Sequence, residues 1–204
     1  MIEVKNLTHD YEGKNHPSVK NVSFTIEKGT IFGFLGPSGA GKSTTQGLMI
    51  GLLRLQTGSI TYNGTALRDQ GAAFYNRIGV SFEHPNLFGK LTGLENLKYH
   101  AGLYSVPTES PLRLLEMVGL TDAANRRAGA YSKGMKQRLV FARSLINRPS
   151  ILFLDEPTSG LDPATAERVK EIIRKKKSEG CTIFLTTHNM QTAEELSDTV
   201  AFIN

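Results

Sequence analysis

The segment Gly36–Ser43 (GPSGAGKS) has the residue types and the spacing of a phosphate-binding loop, G-x-x-x-x-G-K-[ST]. An apolar run, Ile31–Leu35, precedes it, and a helical pattern that begins at Lys42 follows it. Glycines let successive backbone N–H groups turn toward one phosphate, and the following helix directs the positive end of its dipole to the same place. Lys42 would supply positive charge to the β- and γ-phosphates, and the Ser43 hydroxyl would ligate Mg²⁺. We therefore predict that a nucleoside triphosphate with Mg²⁺ binds at Gly36, Pro37, Ser38, Gly39, Ala40, Gly41, Lys42, Ser43 and Thr44.

A pair of acids ends the apolar run Ile151–Leu154, which is typical of a strand buried on both faces of a parallel sheet. Ligands of such sheets gather beyond the carboxyl ends of the strands. Asp155 is predicted to hold the Mg²⁺ that bridges the phosphates, and Glu156 to polarise the attacking water as catalytic base. The alternative is a pair of solvent-facing acids in a turn.

The run Thr182–Thr187 is a third predicted strand, and it ends in His188. The imidazole could hydrogen-bond the γ-phosphate or the water held by Glu156, which would give it a catalytic role beside Glu156 and Lys42. A lone histidine is often structural, and that alternative stays open. If the three strands are neighbours, the loop, the two acids and His188 converge at one crevice.

The elements that must position these groups follow from hydrophobic periodicity. Helical periodicity starts at Lys42 and continues to about Leu53, and the stretch from Pro85 to Ile146 is helical in pattern. Strands alternate with helices in the last third, which predicts an α/β fold with a parallel sheet and a helical insertion. The predicted strands are Ile2–Val4, Val22–Ile26, Thr30–Leu35, Ser59–Tyr62, Arg77–Phe82, Ile151–Leu154, Thr182–Thr187 and Thr199–Ile203, and the late helices are Ala164–Lys177 and Met190–Leu196.

Composition limits the class of protein. The chain has 204 residues, 39% of them hydrophobic, which suits one globular domain and excludes intrinsic disorder. The single cysteine, Cys181, cannot form an internal disulfide, which favours a reducing compartment. No apolar stretch approaches the ~18 residues that span a bilayer, and the first residues do not resemble a signal peptide. We expect a cytoplasmic protein that reaches a membrane only through a partner.

The net charge of +5 is concentrated in the middle of the chain. Nine basic and four acidic residues lie between His84 and Leu145, whereas the remainder holds equal numbers of each sign. An anionic partner near this segment is one explanation, and ordinary solvated charge is the other.

The segment Tyr131–Leu139 (YSKGMKQRL) carries a further motif. It resembles the signature motif of ABC-transporter ATP-binding subunits, usually Leu-Ser-Gly-Gly-Gln. Ser132 and Gly134 fit that pattern, while Lys133 and Met135 depart from its commonest form. The resemblance covers nearly the whole chain, and it implies that Ser132 and Gly134 contact the γ-phosphate of ATP bound to a second subunit.

Capping residues predict two helix starts. Ser132 can cap the helix that follows it, and Asp162, with Pro163 at the first helical position, can cap another. The predicted buried face of the first helix consists of Leu139, Ala142 and Ile146.

Four further positions match the family. Ser159–Asp162 resembles the loop that communicates between the two subunits. Tyr11 occupies the position of the aromatic residue that stacks on adenine, with a surface tyrosine in a turn as the alternative. Glu83 stands where the family normally has a Mg²⁺-sensing glutamine; a carboxylate can still ligate the metal, but it adds negative charge beside the phosphates. Asn86–Phe88 would form part of a groove for a cytoplasmic helix of the membrane subunit, or pack in the core.

The resemblance implies a single ABC ATPase domain of α/β class. It would consist of a P-loop NTPase (RecA-like) parallel core, an N-terminal antiparallel β subdomain and a helical insertion. Residues 1–83 and 147–204 would form the catalytic core, and residues 84–146 the helical subdomain with the signature motif. Relative to the family, the C-terminus looks shortened.

The resemblance also implies a function. Two subunits, identical or different, would sandwich two ATP molecules with Mg²⁺, and hydrolysis would drive a transmembrane permease at the inner face of the cell membrane. The Tyr-Ser-Lys-Gly-Met form is similar to signatures of drug and antibiotic-resistance exporters.

Two rival classes fit the sequence less well. A soluble ABC ATPase of DNA repair or translation typically needs a long coiled-coil insertion or two tandem cassettes, and this sequence has neither. A P-loop kinase or GTPase would leave the signature segment unexplained, and no Asn-Lys-x-Asp run is present. We expect no nucleic-acid partner.

Overall fold

The computed structural model describes residues 1–11 and 17–204, and these residues form nine β-strands and six α-helices. The strands are β1 (Ile2–His9), β2 (Val19–Ile26), β3 (Ile31–Leu35), β4 (Thr57–Tyr62), β5 (Thr65–Ala66), β6 (Ile78–Ser81), β7 (Ile151–Asp155), β8 (Thr182–Thr187) and β9 (Thr199–Phe202). The helices are α1 (Lys42–Met49), α2 (Gly93–Ala101), α3 (Pro111–Met117), α4 (Lys133–Ser144), α5 (Pro163–Ser178) and α6 (Met190–Leu196).

The larger sheet has the order β6-β7-β8-β3-β9, and all of its pairings are parallel. β8 is the central strand, and each of its six residues is buried. In the observed register Leu35 lies opposite Thr187, and Asp155 lies opposite Thr186. The predicted α/β fold with a parallel core is therefore confirmed, and the carboxyl ends of β3, β7 and β8 meet at one edge.

The smaller sheet is antiparallel, with the order β2-β1-β4-β5, and it confirms the predicted N-terminal antiparallel subdomain. Aromatic side chains join it to the parallel sheet. The ring of Phe24 on β2 stacks on Phe32 at a centroid distance of 4.9 Å and on Phe184 at 5.9 Å. Stacked aromatic pairs contribute stability beyond the burial of their apolar area, so these rings hold one sheet against the other.

Three helices, α2, α3 and α4, occupy the fully described stretch between β6 and β7, and no strand lies there. Thr92 and Glu95 form a reciprocal capping box at α2. The Ser132 hydroxyl accepts a hydrogen bond from the Met135 amide at 3.2 Å, and Asp162 caps α5 in the same way. Both predicted caps are confirmed. The predicted buried face consists of Leu139, Ala142 and Ile146, and all three are fully buried, but α4 ends at Ser144, so Ile146 lies just beyond the helix.

Three predicted boundaries are wrong by three residues or more, and one of them is the start of β2, which lies at Val19 rather than Val22. α1 ends at Met49, because Gly51 adopts a left-handed conformation (φ 73°) and the Gly47 carbonyl accepts hydrogen bonds from the two amides that follow Gly51. β1 extends to His9, whereas the predicted strand ended at Val4. A register shift around Asn6 (φ 52°) interrupts the side-chain alternation, so the sequence pattern did not show that the strand continues. β8 and α6 have the predicted bounds.

No helix within residues 1–11 and 17–204 is both long and apolar enough to cross a membrane. Cys181 is buried, and burial raises the pKa of its thiol to about 12. The thiol is therefore protonated at neutral pH and behaves as an apolar core group.

Removing the Phe184 ring tests whether the aromatic contacts hold the two sheets together. Phe184 is fully buried, so Phe184→Ala should lower the free energy of unfolding by about 3–5 kcal/mol. Phe202→Ala is the matched control, because Phe202 is 67% exposed; its effect should stay within about 0.5 kcal/mol. Urea unfolding measures both, and equal losses from the two variants would contradict this packing.

Candidate functional site

The glycine-rich loop lies between β3 and α1. Its first amide, Gly36 N–H, donates to the Thr187 carbonyl at 3.3 Å, which ties the loop to the end of β8. Gly41 adopts φ 96° as the residue that caps α1, and a Cβ there would lie 2.1 Å from the Ser18 carbonyl oxygen. Only glycine therefore fits at Gly41, because the backbone is left-handed there and packs directly against the Ser18 carbonyl.

Lys42, the first residue of α1, is 7% exposed. Its ammonium donates to the Gly36 carbonyl at 2.7 Å and to the Pro37 carbonyl at 3.0 Å. The positive charge is thus held inside the loop by two of the loop's own carbonyl groups, beside the amino end of α1. An ammonium next to helix N–H groups suits a phosphate.

A cavity of about 180 Å³ opens at this edge of the sheet, and we call it the loop cavity. Its lining combines residues of the glycine-rich loop, Lys42 among them, with three acidic residues, Glu83, Asp155 and Glu156. The lining residues are Ser18, Ser38, Gly39, Gly41, Lys42, Ser43, Thr44, Glu83, Asp155 and Glu156.

The donor set of the loop cavity fits Mg²⁺ bound together with phosphates. Hydroxyl and carboxylate oxygens are the ligands that Mg²⁺ prefers, and it is usually bound by one or two carboxylates plus substrate phosphates. Within the described residues no group of three His, Cys, Asp or Glu side chains could hold a metal by itself. A Mg²⁺ ion at this position would therefore complete its shell with phosphate oxygens and water.

Asp155, the last residue of β7, is 3% exposed. The Thr186 hydroxyl on β8 donates to its carboxylate. A buried carboxylate is costly unless it is hydrogen-bonded, and this bond holds Asp155 in place with its second oxygen still able to accept a ligand.

Glu156 follows directly and adopts φ 48°, a left-handed conformation that is uncommon for this residue type. Its carboxylate accepts hydrogen bonds from the Thr187 hydroxyl at 3.1 Å and the His188 amide at 2.7 Å. His188 Nδ1 lies 2.7 Å from Oε1 of Glu156, the oxygen that accepts from the His188 amide. Backbone strain of this kind costs about 1–3 kcal/mol and persists only where the surroundings impose it. The strand ends therefore hold one carboxylate, buried and oriented, beside an imidazole that is about half exposed.

The signature segment lies elsewhere. Ser132 and Gly134 sit at the start of α4 and are absent from the described lining of the loop cavity. The Lys133 side chain passes over Gly160, where a Cβ would lie 3.6 Å from its ammonium nitrogen. This contact places the signature segment against Ser159–Asp162 of the same chain.

Tyr11 is located beside the end of the loop. Its hydroxyl lies 3.3 Å from the Thr44 hydroxyl, and its ring meets His9 edge-on at 5.0 Å. The ring is 41% exposed. This position leaves it open to a flat group that binds next to Thr44.

The structure brings most of the predicted site residues to the loop cavity. Five predicted residues lie next to it without lining it, within the part of the chain that the structure describes: Tyr11, Gly36, Pro37, Ala40 and His188. Three residues that shape the cavity, Ser18, Thr186 and Thr187, were not predicted from the sequence. For the two threonines a signal existed, since they are polar residues that interrupt an apolar strand just before His188. Ser18 had none, because it acts through its backbone carbonyl.

Fold and site together define the class of the protein. A parallel sheet carries a glycine-rich loop at the carboxyl end of β3 and paired acids at the end of β7, facing a common cavity. That arrangement is the nucleotide site of a P-loop nucleoside triphosphatase.

Comparison with known proteins identifies the family. The family model described as ABC transporter matches residues 19–159. The fluoroquinolones export ATP-binding protein of Mycobacterium tuberculosis is 56% identical over 203 residues, which cover 100% of this chain and 67% of that protein. The lantibiotic transport ATP-binding protein SrtF of Streptococcus pyogenes is 39% identical, with coverage of 100% of this chain and 86% of that protein.

Solved structures agree with this family. An ATP-binding subunit of an ABC transporter superposes with a TM-score of 0.88 at 30% identity and covers 100% of this chain and 86% of that one. A dimeric ATP-binding cassette in a post-hydrolysis state bound to ADP and Pi gives a TM-score of 0.88 at 27% identity, with coverage of 100% and 94%. The chain belongs to the ABC transporter family and is one of its ATP-binding subunits, an ATPase.

Two glycine substitutions separate backbone strain from crowding in the loop. Gly39 also has a positive φ, 87°, but a Cβ there meets no atom within 4 Å. Gly39→Ala should therefore cost about 1–2 kcal/mol of stability. Gly41→Ala should cost more and weaken nucleotide binding, because it must also displace the Ser18 carbonyl. Urea unfolding with and without nucleotide measures both, and equal effects of the two variants would contradict the geometry of the loop.

Proposed function

We propose that this chain powers a membrane exporter by forming a dimer around two Mg-ATP molecules. The observation that carries the proposal is the separation of two half-sites within one chain. The phosphate-binding loop and the paired acids share the loop cavity, whereas Ser132 and Gly134 lie outside it. A second subunit would then supply the missing half.

In this proposal the loop Gly36–Thr44 surrounds the phosphates with its amides, and Lys42 neutralises the β- and γ-phosphates. Ser43, Asp155 and Glu83 would hold Mg²⁺, which when bound neutralises charge that develops on the phosphates. Tyr11 would stack on the adenine, which its exposed position next to Thr44 supports.

Glu156 would act as the general base for the attacking water. Its carboxylate is already oriented by the Thr187 hydroxyl and the His188 amide, so little reorganisation is required. The His188 imidazole touches the same carboxylate, and a half-exposed ring can reach the γ-phosphate or the water. Glu156 would accept the proton of the water, and His188 would position the Glu156 carboxylate.

The second subunit would present Ser132, Gly134 and the amino end of its α4 to the γ-phosphate. Helix N–H groups and nearby lysines suit an anion, and no acidic residue lies in the first turn of α4. The dimeric post-hydrolysis cassette among the solved neighbours supports a two-subunit arrangement. The partner would be a second copy of this chain or a sister subunit.

Export is supported by relatives whose names refer to fluoroquinolone export and lantibiotic transport. A permease would anchor the subunit at the inner face of the membrane. Residues 84–146 would form the helical subdomain that meets the permease, with Asn86–Phe88 in its groove, on a core of residues 1–83 and 147–204. Phe88 is 47% exposed, which leaves it available to such a partner.

Glu156→Gln tests the proposed base together with the dimer. Removing the carboxylate should lower ATP hydrolysis by roughly 10²–10⁴-fold while binding persists, because a general base contributes about that much. With Mg-ATP the variant should then accumulate as a dimer in analytical ultracentrifugation. The exposed residue Glu194 offers a matched control, and Glu194→Gln should hydrolyse ATP as the wild type does. Normal turnover by Glu156→Gln would exclude Glu156 as the base, and a strictly monomeric variant would exclude the ATP-bound dimer.

A further inference from the structure

Tyr11 lies two residues beyond the end of β1, outside both antiparallel pairings of that strand. The pairing with β2 ends at His9 opposite Val19, and the pairing with β4 ends at Thr8 opposite Thr57. Within the part of the chain that the structure describes, the paired backbone therefore stops before Tyr11. A ring that serves as a stacking surface needs another contact to hold its backbone in place.

The side chain of Gln56 hydrogen-bonds the backbone just beyond the end of the β1–β4 pairing. Its Oε1 accepts from the Asp10 amide at 2.8 Å, and its Nε2 donates to the Asp10 carbonyl at 2.8 Å. One side-chain amide thus makes the two hydrogen bonds that a paired residue of β4 would exchange with Asp10. We call this two-point contact the amide clasp, and it holds the residue directly before Tyr11.

Both chain neighbours of Gln56 are held in place. Thr57, which follows it, is the first residue of β4 and pairs with Thr8. Leu55, which precedes it, packs against the buried cluster that contains Ile60. Because the backbone at Gln56 is already fixed, forming the amide clasp costs mainly the rotamer entropy of one side chain.

The Tyr11 side chain is held at two further points. His9, which is 6% exposed, meets the ring edge-on at 5.0 Å. The Tyr11 hydroxyl lies 3.3 Å from the Thr44 hydroxyl at the end of the phosphate-binding loop. The ring nevertheless remains 41% exposed. The backbone before Tyr11, its ring and its hydroxyl therefore each contact a different part of the chain, which gives a preorganised aromatic surface beside the phosphate-binding loop.

We propose that Gln56 is a positioning residue for recognition of the nucleobase, because the amide clasp holds Tyr11 where it stacks on the adenine of ATP. The inference rests on the proposed function, which assigns the adenine to Tyr11. Gln56 is absent from the described lining of the loop cavity and acts through the ring alone. The apparent affinity for a ligand scales with the fraction of chains in the binding-competent conformation. Loss of the clasp therefore weakens binding of ATP and leaves binding of phosphates without a base unchanged.

The test compares two probes, Mg-ATP and Mg-tripolyphosphate, which has three phosphates but neither base nor ribose. Gln56→Met keeps the length of the side chain and loses both hydrogen bonds. In isothermal titration calorimetry this variant should bind Mg-ATP about fivefold more weakly or worse, and Mg-tripolyphosphate as the wild type does. Gln70→Met is the matched control, because the Gln70 amide also donates to a backbone carbonyl, that of Thr65 at 3.3 Å, outside the loop cavity. It should bind both probes normally.

A double-mutant cycle distinguishes positioning of Tyr11 from a general effect on the fold. Tyr11→Ala should weaken Mg-ATP binding about tenfold, since stacking of one base on an aromatic side chain contributes on that order. Gln56→Met should cause no further loss in the Tyr11→Ala chain, because the clasp acts only through the ring. A further loss in that chain would overturn the inference, and so would equal losses of affinity for Mg-ATP and Mg-tripolyphosphate.

The outcomes separate this inference from the proposed function. If Tyr11→Ala binds Mg-ATP as tightly as the wild type, the stacking role in the proposed function fails, and the inference fails with it. A loss with Tyr11→Ala but none with Gln56→Met overturns the inference alone. Gln56 is exposed, so its variant should fold. If Gln56→Met does not fold, Gln56→Ala decides by the same two affinities.

Discussion

Parallel pairing of β3 and β7 with β8 is the constraint on which the rest of the structure depends. With β8 in the centre, Leu35 lies opposite Thr187, and Asp155 lies opposite Thr186. The chain must therefore leave β3 and β7 at the same edge, where the loop and the paired acids follow. A shift of one residue in either pairing would turn every side chain of that strand to the other face, and the loop cavity would lose its acids.

Burying charged side chains at the edge that this register creates costs electrostatic free energy. Two carboxylates, Asp155 and Glu156, are almost fully buried there, close to the buried ammonium of Lys42. Burial of a charge costs free energy unless hydrogen bonds compensate it, and β8 provides them through the hydroxyls of Thr186 and Thr187. The same strand thus aligns the sheet and satisfies the acids. The strained backbone of Glu156 is tolerable because these contacts over-determine its position.

Local chemistry explains which features could be predicted from the sequence. The loop Gly36–Ser43, the acids at the end of β7 and the caps Ser132 and Asp162 depend on adjacent residues, so the sequence alone could predict them. The end of α1 was not, because it is set by a left-handed glycine and two hydrogen bonds to Gly47. Thr186 and Thr187 gain their importance only when β7 lies beside them. A second cavity, between β6 and the ends of α2 and α4, could not be predicted either, since three segments distant in sequence build it.

The most direct test of the half-site account mixes two inactive subunits. Lys42→Ala removes the phosphate-binding half, whereas Gly134→Asp puts a negative charge in the signature half. A Cβ at Gly134 would lie 3.4 Å from the Leu161 side chain and 3.8 Å from the Gly160 carbonyl oxygen, which are ordinary van der Waals distances, so the aspartate variant should fold. Gly71→Asp, at an open position, is the control and should remain active.

Each variant alone should lack ATPase activity. An equal mixture should recover about a quarter of the wild-type rate, since about half of randomly formed dimers are mixed and each has one complete site of two. A mixture as inactive as its components would contradict the claim that the two chains complete each other's sites.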